Sequence, residues 1–148
     1  MYVSTKYYKE LGSVAYRQWR DDGHCSKLHG YAMSFYFEFE STDLDSRKWV
    51  MDFGGLTPLK EQLEKWFDHT VLVASDDPHK NEILNLEKIG IARVIEFENL
   101  GSEALANALF EYVNEILLPL YGNEFSKRVR CRKVMVQETE KNTAWYEG

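Results

Sequence analysis

The feature that most constrains the fold is a run of aromatic and polar residues between positions 31 and 40. Large side chains occupy every second position, and polar residues such as Ser34, Glu38 and Glu40 fall between them. Successive side chains of a β-strand point to opposite faces, so a period of two predicts a strand with one buried face. The predicted buried face consists of Tyr31, Met33, Phe35, Phe37 and Phe39.

Two amphipathic helices are predicted to cover that face. The first begins near Thr57, with Pro58 in its first turn, where the missing N–H of proline is tolerated. The second begins with Ser102 as its N-cap and Glu103 just inside, where a carboxylate favours the helix dipole, and it ends before Pro119. A sheet with helices on one face is an α+β architecture. The apolar stripes are Leu59, Leu63, Trp66 and Phe67, and then Leu105, Leu109, Tyr112, Val113, Ile116 and Leu117.

The remaining segments give a coarser prediction. A first strand is expected within residues 2–17, with a possible break near Gly12, and residues 68–78 are interpreted as an ordered loop. The predicted order is strand, strand, helix, strand, helix, strand, which favours an antiparallel sheet. Further elements are predicted as a short helix at 82–88 and strands at 91–97 and 129–138.

Composition limits the class of protein. A chain of 148 residues that is 44% hydrophobic predicts a single domain spanning residues 1–148. The net charge of -6 argues against a nucleic-acid or anionic-membrane partner. No apolar run reaches the length of a membrane span, and Cys25 and Cys131 do not form the pattern of a disulfide framework. We therefore expect a protein of the reducing cytoplasm.

Four short motifs carry a resemblance to a known family. They are Gly23-His24-Cys25-Ser26-Lys27-Leu28-His29-Gly30, then Val50-Met51-Asp52-Phe53-Gly54, then the segment from Leu63 to Pro78 with Asp68-His69, and finally Gln137-Glu138-Thr139. Each is weak alone, but their order and spacing cover nearly the whole chain. Together they resemble the family of 6-pyruvoyl-tetrahydropterin synthase and the 6-carboxytetrahydropterin synthase of queuosine biosynthesis.

This resemblance implies the tunnelling fold, or T-fold, with a four-stranded antiparallel sheet and two helices packed on one face. It also implies a homotrimer or homohexamer in which sheets join edge to edge into a β-barrel, with active sites between subunits. Family members are lyases that convert dihydroneopterin triphosphate to 6-pyruvoyl-tetrahydropterin or 6-carboxytetrahydropterin. A zinc ion binds substrate oxygens, and a glutamate from the last strand anchors the pterin.

The zinc ligands are where the chain departs from the family. The resemblance places His29 at one of the three histidine positions, and Tyr16 and Tyr31 at the other two. A catalytic zinc needs three protein ligands, and a phenol with an ordinary pKa of about 10 is a poor one near neutral pH. We expect zinc to be absent or altered, unless His24 or His79 supplies a ligand. The simpler alternative is that the two tyrosines pack together and His29 bonds one hydroxyl.

The resemblance also assigns catalytic and substrate-binding residues. Cys25 matches the catalytic cysteine, whose reactive form is the thiolate, and Asp68 with His69 matches the supporting pair. Glu138 matches the pterin anchor, where a carboxylate accepts two parallel hydrogen bonds from a 2-amino-4-oxo ring. Glu103 matches a further glutamate only in part. Each assignment has a plainer alternative. Cys25 is then an inert thiol, and Asp68 and His69 are loop residues that bond the backbone. Glu138 is then a solvated residue at a strand end, and Glu103 stabilises the start of a helix.

Three functional hypotheses follow. The first is a pterin synthase-like enzyme of altered metal content that binds a pterin of the dihydroneopterin triphosphate type. The second is an inactive paralogue that binds a pterin or a guanine-like ligand, and the third is a structural oligomer with an empty pocket. Three arginines near the last strand offer either charge for a triphosphate or an ordinary solvated or inter-subunit face: Arg128, Arg130 and Arg132.

Overall fold

The computed structural model describes residues 1–148 and contains two four-stranded sheets. The first sheet has the order β1-β4-β7-β8, and all its neighbouring strands are antiparallel. The second has the order β3-β2-β5-β6 and mixes antiparallel and parallel pairs. The elements are β1 Tyr2–Tyr8, β2 Val14–Tyr16, β3 His29–Tyr31, β4 Ser34–Ser41, α1 Thr57–Phe67, β5 Thr70–Ala74, α2 Lys80–Lys88, β6 Val94–Phe97, α3 Ser102–Tyr112, α4 Asn123–Arg128, β7 Arg130–Thr139 and β8 Asn142–Glu147.

Strand β4 confirms the predicted alternation. Phe35, Phe37 and Phe39 are fully buried, and Phe37 pairs directly with Val134 of β7. Glu38 and Glu40 lie on the other face, where they pair with arginines of β7. Truncating a buried aromatic of this kind to alanine typically costs about 3–5 kcal/mol, so β4 anchors the fold.

Helices α1 and α3 cover the apolar face, as predicted for an α+β fold. Helix α3 continues through a π-helical segment, Val113–Leu117, and a 3-10 turn, Leu118–Tyr121. Both helices contribute to one cluster of 26 buried residues that also includes β4 and β7. Their fully buried side chains include Leu59, Leu63, Leu105, Leu109 and Leu117. None of the helices is both long and apolar enough to span a lipid bilayer.

The second sheet was not predicted. Residues 70–74 were interpreted as part of a loop, but they form β5, which lies parallel to both β2 and β6. A short apolar run between polar residues fits a buried strand as well as a loop, and only the long-range pairing decides. Strand β8 was also missed, since most of its residues are exposed and lack a buried face.

Two local predictions concern glycines. The predicted break near Gly12 is present, and it separates β1 and β2 into different sheets. Gly12 has a φ of 147°, and a Cβ there would approach the Asp68 Cβ to 2.6 Å, so this position requires glycine. The predicted N-cap of α3 was wrong. Gly101 with a φ of 115° occupies the cap, and Ser102 is the first helical residue and buried.

Candidate functional site

Three aromatic side chains converge where β2 meets β3, and we call them the tyrosine–histidine cluster: Tyr16, His29 and Tyr31. The antiparallel register pairs Tyr16 with His29 directly and places Tyr31 two residues further along the same strand. Ring centroids are 5.9 Å apart for Tyr16 and His29, 5.7 Å for the two tyrosines, and 5.1 Å for His29 and Tyr31. Alternation along β3 puts His29 and Tyr31 on one face of the sheet. The pairing of β2 with β3 therefore explains why the three side chains lie together.

Hydrogen bonds fix the tautomer of His29. Its Nδ1 lies 2.7 Å from the carbonyl oxygen of Lys27, and its Nε2 lies 2.8 Å from the Tyr31 hydroxyl. A carbonyl can only accept, so Nδ1 carries the proton and donates. In the neutral ring Nε2 then accepts from the Tyr31 hydroxyl. This is the hydrogen bond between His29 and a tyrosine that the sequence offered as the simpler alternative.

Glu138 reaches the cluster from the end of β7. The Tyr16 hydroxyl donates to Glu138 Oε1 at 2.7 Å. The pairing between β7 and β8 shifts at this point: Gln137 pairs with Thr143 and Thr139 with Asn142, which leaves Glu138 as the extra residue of a β-bulge. Bulges end regular pairing and re-aim a side chain, which accounts for a carboxylate at this position.

A cavity of about 260 Å³ lies beside Glu138. It opens between the ends of β1, β4 and β7 and carries several charges. The carboxylate therefore has the buried Tyr16 hydroxyl on one oxygen and an accessible polar space beside it. The lining residues are Tyr7, Lys9, Glu10, Ala32, Ser34, Gln137, Glu138, Thr139 and Glu140.

Both phenols hold their protons more tightly than an ordinary tyrosine. Burial raises the pKa of Tyr16 well above its usual value of 10, and the hydrogen bond and negative charge of Glu138 add to the effect. Burial also raises the pKa of Tyr31, and the charges of Glu138 and of Cys25 raise it further. Both hydroxyls are consequently neutral at physiological pH.

Cys25 lies in an exposed 3-10 turn, His24–Ser26, that follows β2. The Gln18 amide, just beyond the end of β2, donates to the Cys25 carbonyl at 2.7 Å. The other cysteine, Cys131, is buried in β7, and burial raises its pKa to about 12. Only Cys25 is therefore accessible to a ligand or reagent.

Asp68 and His69 form the predicted pair, with His69 Nδ1 2.7 Å from Asp68 Oδ1. Adjacent residues need a tight turn to bond in this way, and His69 supplies it with a φ of 56°. The hydrogen bond from His69 is the main cause that lowers the pKa of the Asp68 carboxyl. The His69 side chain is 87% exposed, so its outer nitrogen faces solvent.

This Asp–His pair lies at the opposite end of β2 from the Cys25 turn. The His69 amide donates to the Ser13 carbonyl just before β2, whereas the Gln18 amide holds Cys25 just after it. Four residues separate these two attachment points, a span of roughly 15 Å in extended chain. The structure therefore brings Glu138, Tyr16, Tyr31 and His29 together within one chain, with the Cys25 turn attached just after β2, but it does not bring Asp68 and His69 to them.

The sequence matches the family model of 6-pyruvoyl tetrahydropterin synthase over residues 9–148. The chain belongs to the 6-pyruvoyl tetrahydropterin synthase family. Solved structures agree in fold. An uncharacterized protein from Wolinella succinogenes aligns with a TM-score of 0.80 at 21% identity, covering 99% of this chain and 98% of that one. No curated protein matches the sequence.

Two synthases of this family with solved structures are more distant. The 6-pyruvoyl tetrahydropterin synthase of Plasmodium vivax has a TM-score of 0.65 at 13% identity, covering 100% of this chain and 99% of that one. The Caenorhabditis elegans enzyme has a TM-score of 0.64 at 18% identity, covering 100% and 97%. At these identities the likeness shows the shared T-fold.

The tyrosine–histidine cluster does not fit the zinc of the synthase family. Zinc binds phenolate rather than phenol, and both phenols here have a raised pKa. The Nε2 lone pair of His29 already accepts from Tyr31, and Tyr16 donates to Glu138. Neither His24, in the exposed turn, nor His79, which lies 3.6 Å from Glu82, joins the cluster. No group of three or more His, Cys, Asp or Glu side chains is placed to hold a metal ion.

The remaining residues that the sequence suggested for the site are Glu103 and three arginines. Glu103 is exposed in the first turn of α3, beside Gly101. Arg130 and Arg132 are paired with Glu40 and Glu38, and Arg128 donates to the Asp43 carbonyl. These pairings explain the three arginines as elements of the sheet and its loops.

Sequence reasoning missed one residue that affects the cluster. The buried Ser102 side chain partly offsets the rise in the Tyr16 pKa. The sequence predicts Ser102 as a helix cap, because serine before an acidic residue is a common start signal. In the structure Gly101 is the cap and Ser102 is buried inside the helix start, and no local signal distinguishes the two positions.

Proposed function

We propose that this protein binds a reduced pterin, or a guanine-like 2-amino-4-oxo heterocycle, at Glu138 without the zinc of its family. The observation that carries the proposal is the Glu138 carboxylate at the β7 bulge, held by Tyr16 on one side and bordering a cavity on the other. A carboxylate matches the paired N–H donors of such a ring through parallel charge-assisted hydrogen bonds. We also propose that residues 1–148 act as a single domain in the cytoplasm, where two free cysteines stay reduced.

The cavity supports a site that a second copy of the chain completes. Ligand pockets usually have volumes of about 300–1,000 Å³, larger than the 260 Å³ found beside Glu138. Strands β1 and β8 are the edges of the first sheet, and each has one side without a partner strand. Unpaired edges favour pairing with another chain, so we propose a homotrimer or homohexamer whose sheets join into a β-barrel.

Binding to matched variants tests the anchor. We expect Glu138→Gln, which keeps the shape but removes the charge, to weaken binding of 7,8-dihydroneopterin or guanine by about tenfold to hundredfold. Glu140→Gln is the matched control, because it removes a carboxylate from the same cavity two residues away. Titration calorimetry measures both. Equal affinity of the Glu138→Gln variant and the natural chain would contradict the proposal.

Metal content is a separate measurement. Protein purified without chelator should contain far less than one zinc per chain by elemental analysis, and EDTA should leave pterin affinity unchanged. The physical reason is that two neutral phenols and an engaged imidazole offer zinc no set of three ligands. Stoichiometric zinc that is lost in a His29→Ala variant would contradict the proposal that the protein works without zinc. The proposal that Glu138 binds the pterin would still be decided by the binding experiment with Glu138→Gln.

A second candidate function is proton transfer on the bound pterin, as in a pterin synthase lyase. The observation that favours it is the Asp68–His69 hydrogen bond, which orients an exposed imidazole for acid–base work. Because this pair lies far from Cys25 of its own chain, we propose that it serves Cys25 of a second copy. The zinc-independent step would then rest on the Cys25 thiolate and His69.

Mixed variants test this arrangement. Cys25→Ala and His69→Ala should each fail to convert dihydroneopterin triphosphate, whereas subunits of the two variants refolded together should regain part of the activity. The identity of the product separates a 6-pyruvoyl from a 6-carboxy outcome. No turnover by the natural chain, with binding at Glu138 intact, would leave the inactive pterin- or purine-binding paralogue.

A further inference from the structure

The guanidinium of Arg17 joins three segments that are remote in sequence. Arg17 follows β2, and its Nε and Nη2 donate to the two carboxylate oxygens of Asp77 at 2.9 and 2.6 Å. Its Nη1 donates to the carbonyl oxygen of Ser26 at 3.0 Å. Asp77 belongs to the loop between β5 and α2, and Ser26 ends the 3-10 turn that contains Cys25. One side chain therefore ties β2, this loop and the turn together.

The ion pair is shielded from water and held by several hydrogen bonds. The Asp77 side chain is 1% exposed and that of Arg17 17% exposed. Asp77 Oδ1 also accepts from the His79 amide at 2.8 Å, so the carboxylate is held from two directions. A bidentate pair of this kind fixes both distance and orientation, which a single lysine ammonium cannot do.

The Cys25 turn has few other anchors. None of its three residues is buried. Its internal bonds, from Ser26 to Gly23 and from Lys27 to His24, close the turn on itself and do not attach it to the fold. Apart from the Arg17 bond to Ser26, the three turn residues are attached to the fold by the Gln18 amide on the Cys25 carbonyl. Without Arg17 the turn would keep only this bond and, directly after it, the His29 bond to the Lys27 carbonyl.

We infer that Arg17 is the positioning residue of the Cys25 turn, with Asp77 as the anchor that holds the guanidinium in place. The same pair that stabilises the end of β2 thereby sets where the thiol lies relative to Tyr31 and Glu138. This inference rests on the contacts alone. Only its importance for turnover rests on the proposed function of Cys25.

Mobility of a probe on Cys25 tests the inference directly. A nitroxide attached to Cys25 reports local motion, and the buried Cys131 stays unlabelled, which a Cys25→Ala background confirms. In the natural chain the spectrum should show a restricted label. In Arg17→Gln the rotational correlation time should fall by about twofold or more, since the turn then moves on the timescale of a free loop. Arg17→Lys, which keeps the charge but loses the fork, should restore the restriction only in part.

A matched control separates positioning from general loosening. Arg130→Gln removes an arginine from another ion pair, with Glu40 on the first sheet, and should leave the label as restricted as before. Asp77→Asn should mobilise the label in the same way as Arg17→Gln. If Arg17→Gln does not fold, Arg17→Lys and Asp77→Asn carry the test. An unchanged spectrum in folded Arg17 and Asp77 variants would overturn the inference, whether or not the protein binds a pterin.

Discussion

The two ends of β2 differ in almost every physical respect. At the C-terminal end Tyr16 is buried, bonded to Glu138 and packed against His29 and Tyr31. At the N-terminal end the Asp68–His69 pair is exposed and bonded mainly within itself. Both lie at positions that resemble motifs of the same family, yet only the first joins the two sheets of the chain through a side-chain hydrogen bond. The comparison teaches that a matching pattern of residues does not by itself make a site, because burial and partners decide what each group can do.

The largest effect should come from truncating the buried end. Tyr16→Ala removes a side chain that is 3% exposed and leaves Glu138 without its donor. We expect a loss of about 3–5 kcal/mol in the free energy of unfolding, from the cavity and the unpaired carboxylate together. Urea unfolding followed by circular dichroism measures it. If Tyr16→Ala lowers the free energy of unfolding no more than a substitution at an exposed residue, the two ends of β2 do not differ in their contribution to stability.

The next largest effect concerns two aspartates whose pKa is lowered for different reasons. Arg17 lowers the pKa of the buried Asp77 carboxyl, and His69 lowers that of the exposed Asp68. A group whose folded pKa is depressed binds protons more readily when unfolded, so its stabilisation is present above its ordinary pKa of 3.8 and is lost as pH falls below it. Asp77→Asn should therefore cost about 3 kcal/mol at pH 7 and progressively less at lower pH.

Asp68→Asn is the matched control for that pH series. Its carboxyl is open to solvent, and an exposed ion pair contributes little to stability. At each pH from 7 down to 3 the variant should therefore unfold at nearly the same urea midpoint as the natural chain. Equal pH dependence of the two variants would show that burial does not distinguish these carboxylates.

A smaller effect isolates the hydrogen bond between Tyr16 and Glu138. Tyr16→Phe keeps the ring and its packing but removes the hydroxyl that donates at 2.7 Å. The expected loss is about 1–2 kcal/mol, the usual cost of a hydrogen bond to a charged group that retains some solvent. A double variant with Glu138→Gln should lose less than the sum of the two single variants, because Tyr16→Phe removes the bond and Glu138→Gln removes the charge that strengthens it. Full additivity would mean that the two side chains do not interact in solution.

Much of the fold was predictable because its signals are local. The alternation through Phe35, Phe37 and Phe39 and the stripes of α1 and α3 give the first sheet and its covering helices directly. The predicted strand was too long at its start, because Tyr31 belongs to β3 of the second sheet. Strand β5 was not predictable, because its four successive apolar residues show no alternation, and only the pairing with β2 and β6 identifies them as a strand. The exposed strand β8 has no buried face to mark it.

The site was predictable to the extent that motifs name its members. The family pattern identified Tyr16, His29, Tyr31 and Glu138, and the structure places them together. It gave no sign of the effect of Ser102 on the Tyr16 pKa or of the Arg17–Asp77 ion pair, which joins residues 60 positions apart in sequence. Such contacts depend on how strands of the second sheet pair, and that sheet is the part of the fold with the weakest local signal.

The smallest effect on stability should come from the exposed end, and it sharpens the comparison most. His69→Ala removes a ring that is 87% exposed and that bonds only its neighbour, so the unfolding midpoint should match that of the natural chain. His69 has a positive φ of 56°, a conformation that asparagine tolerates, so His69→Asn is the more conservative substitution. If either substitution unfolds the protein, the Asp68–His69 turn has a structural role. If both variants keep their stability but lose turnover, the exposed imidazole of His69 acts in catalysis, as the proposed contact with Cys25 of a second copy requires.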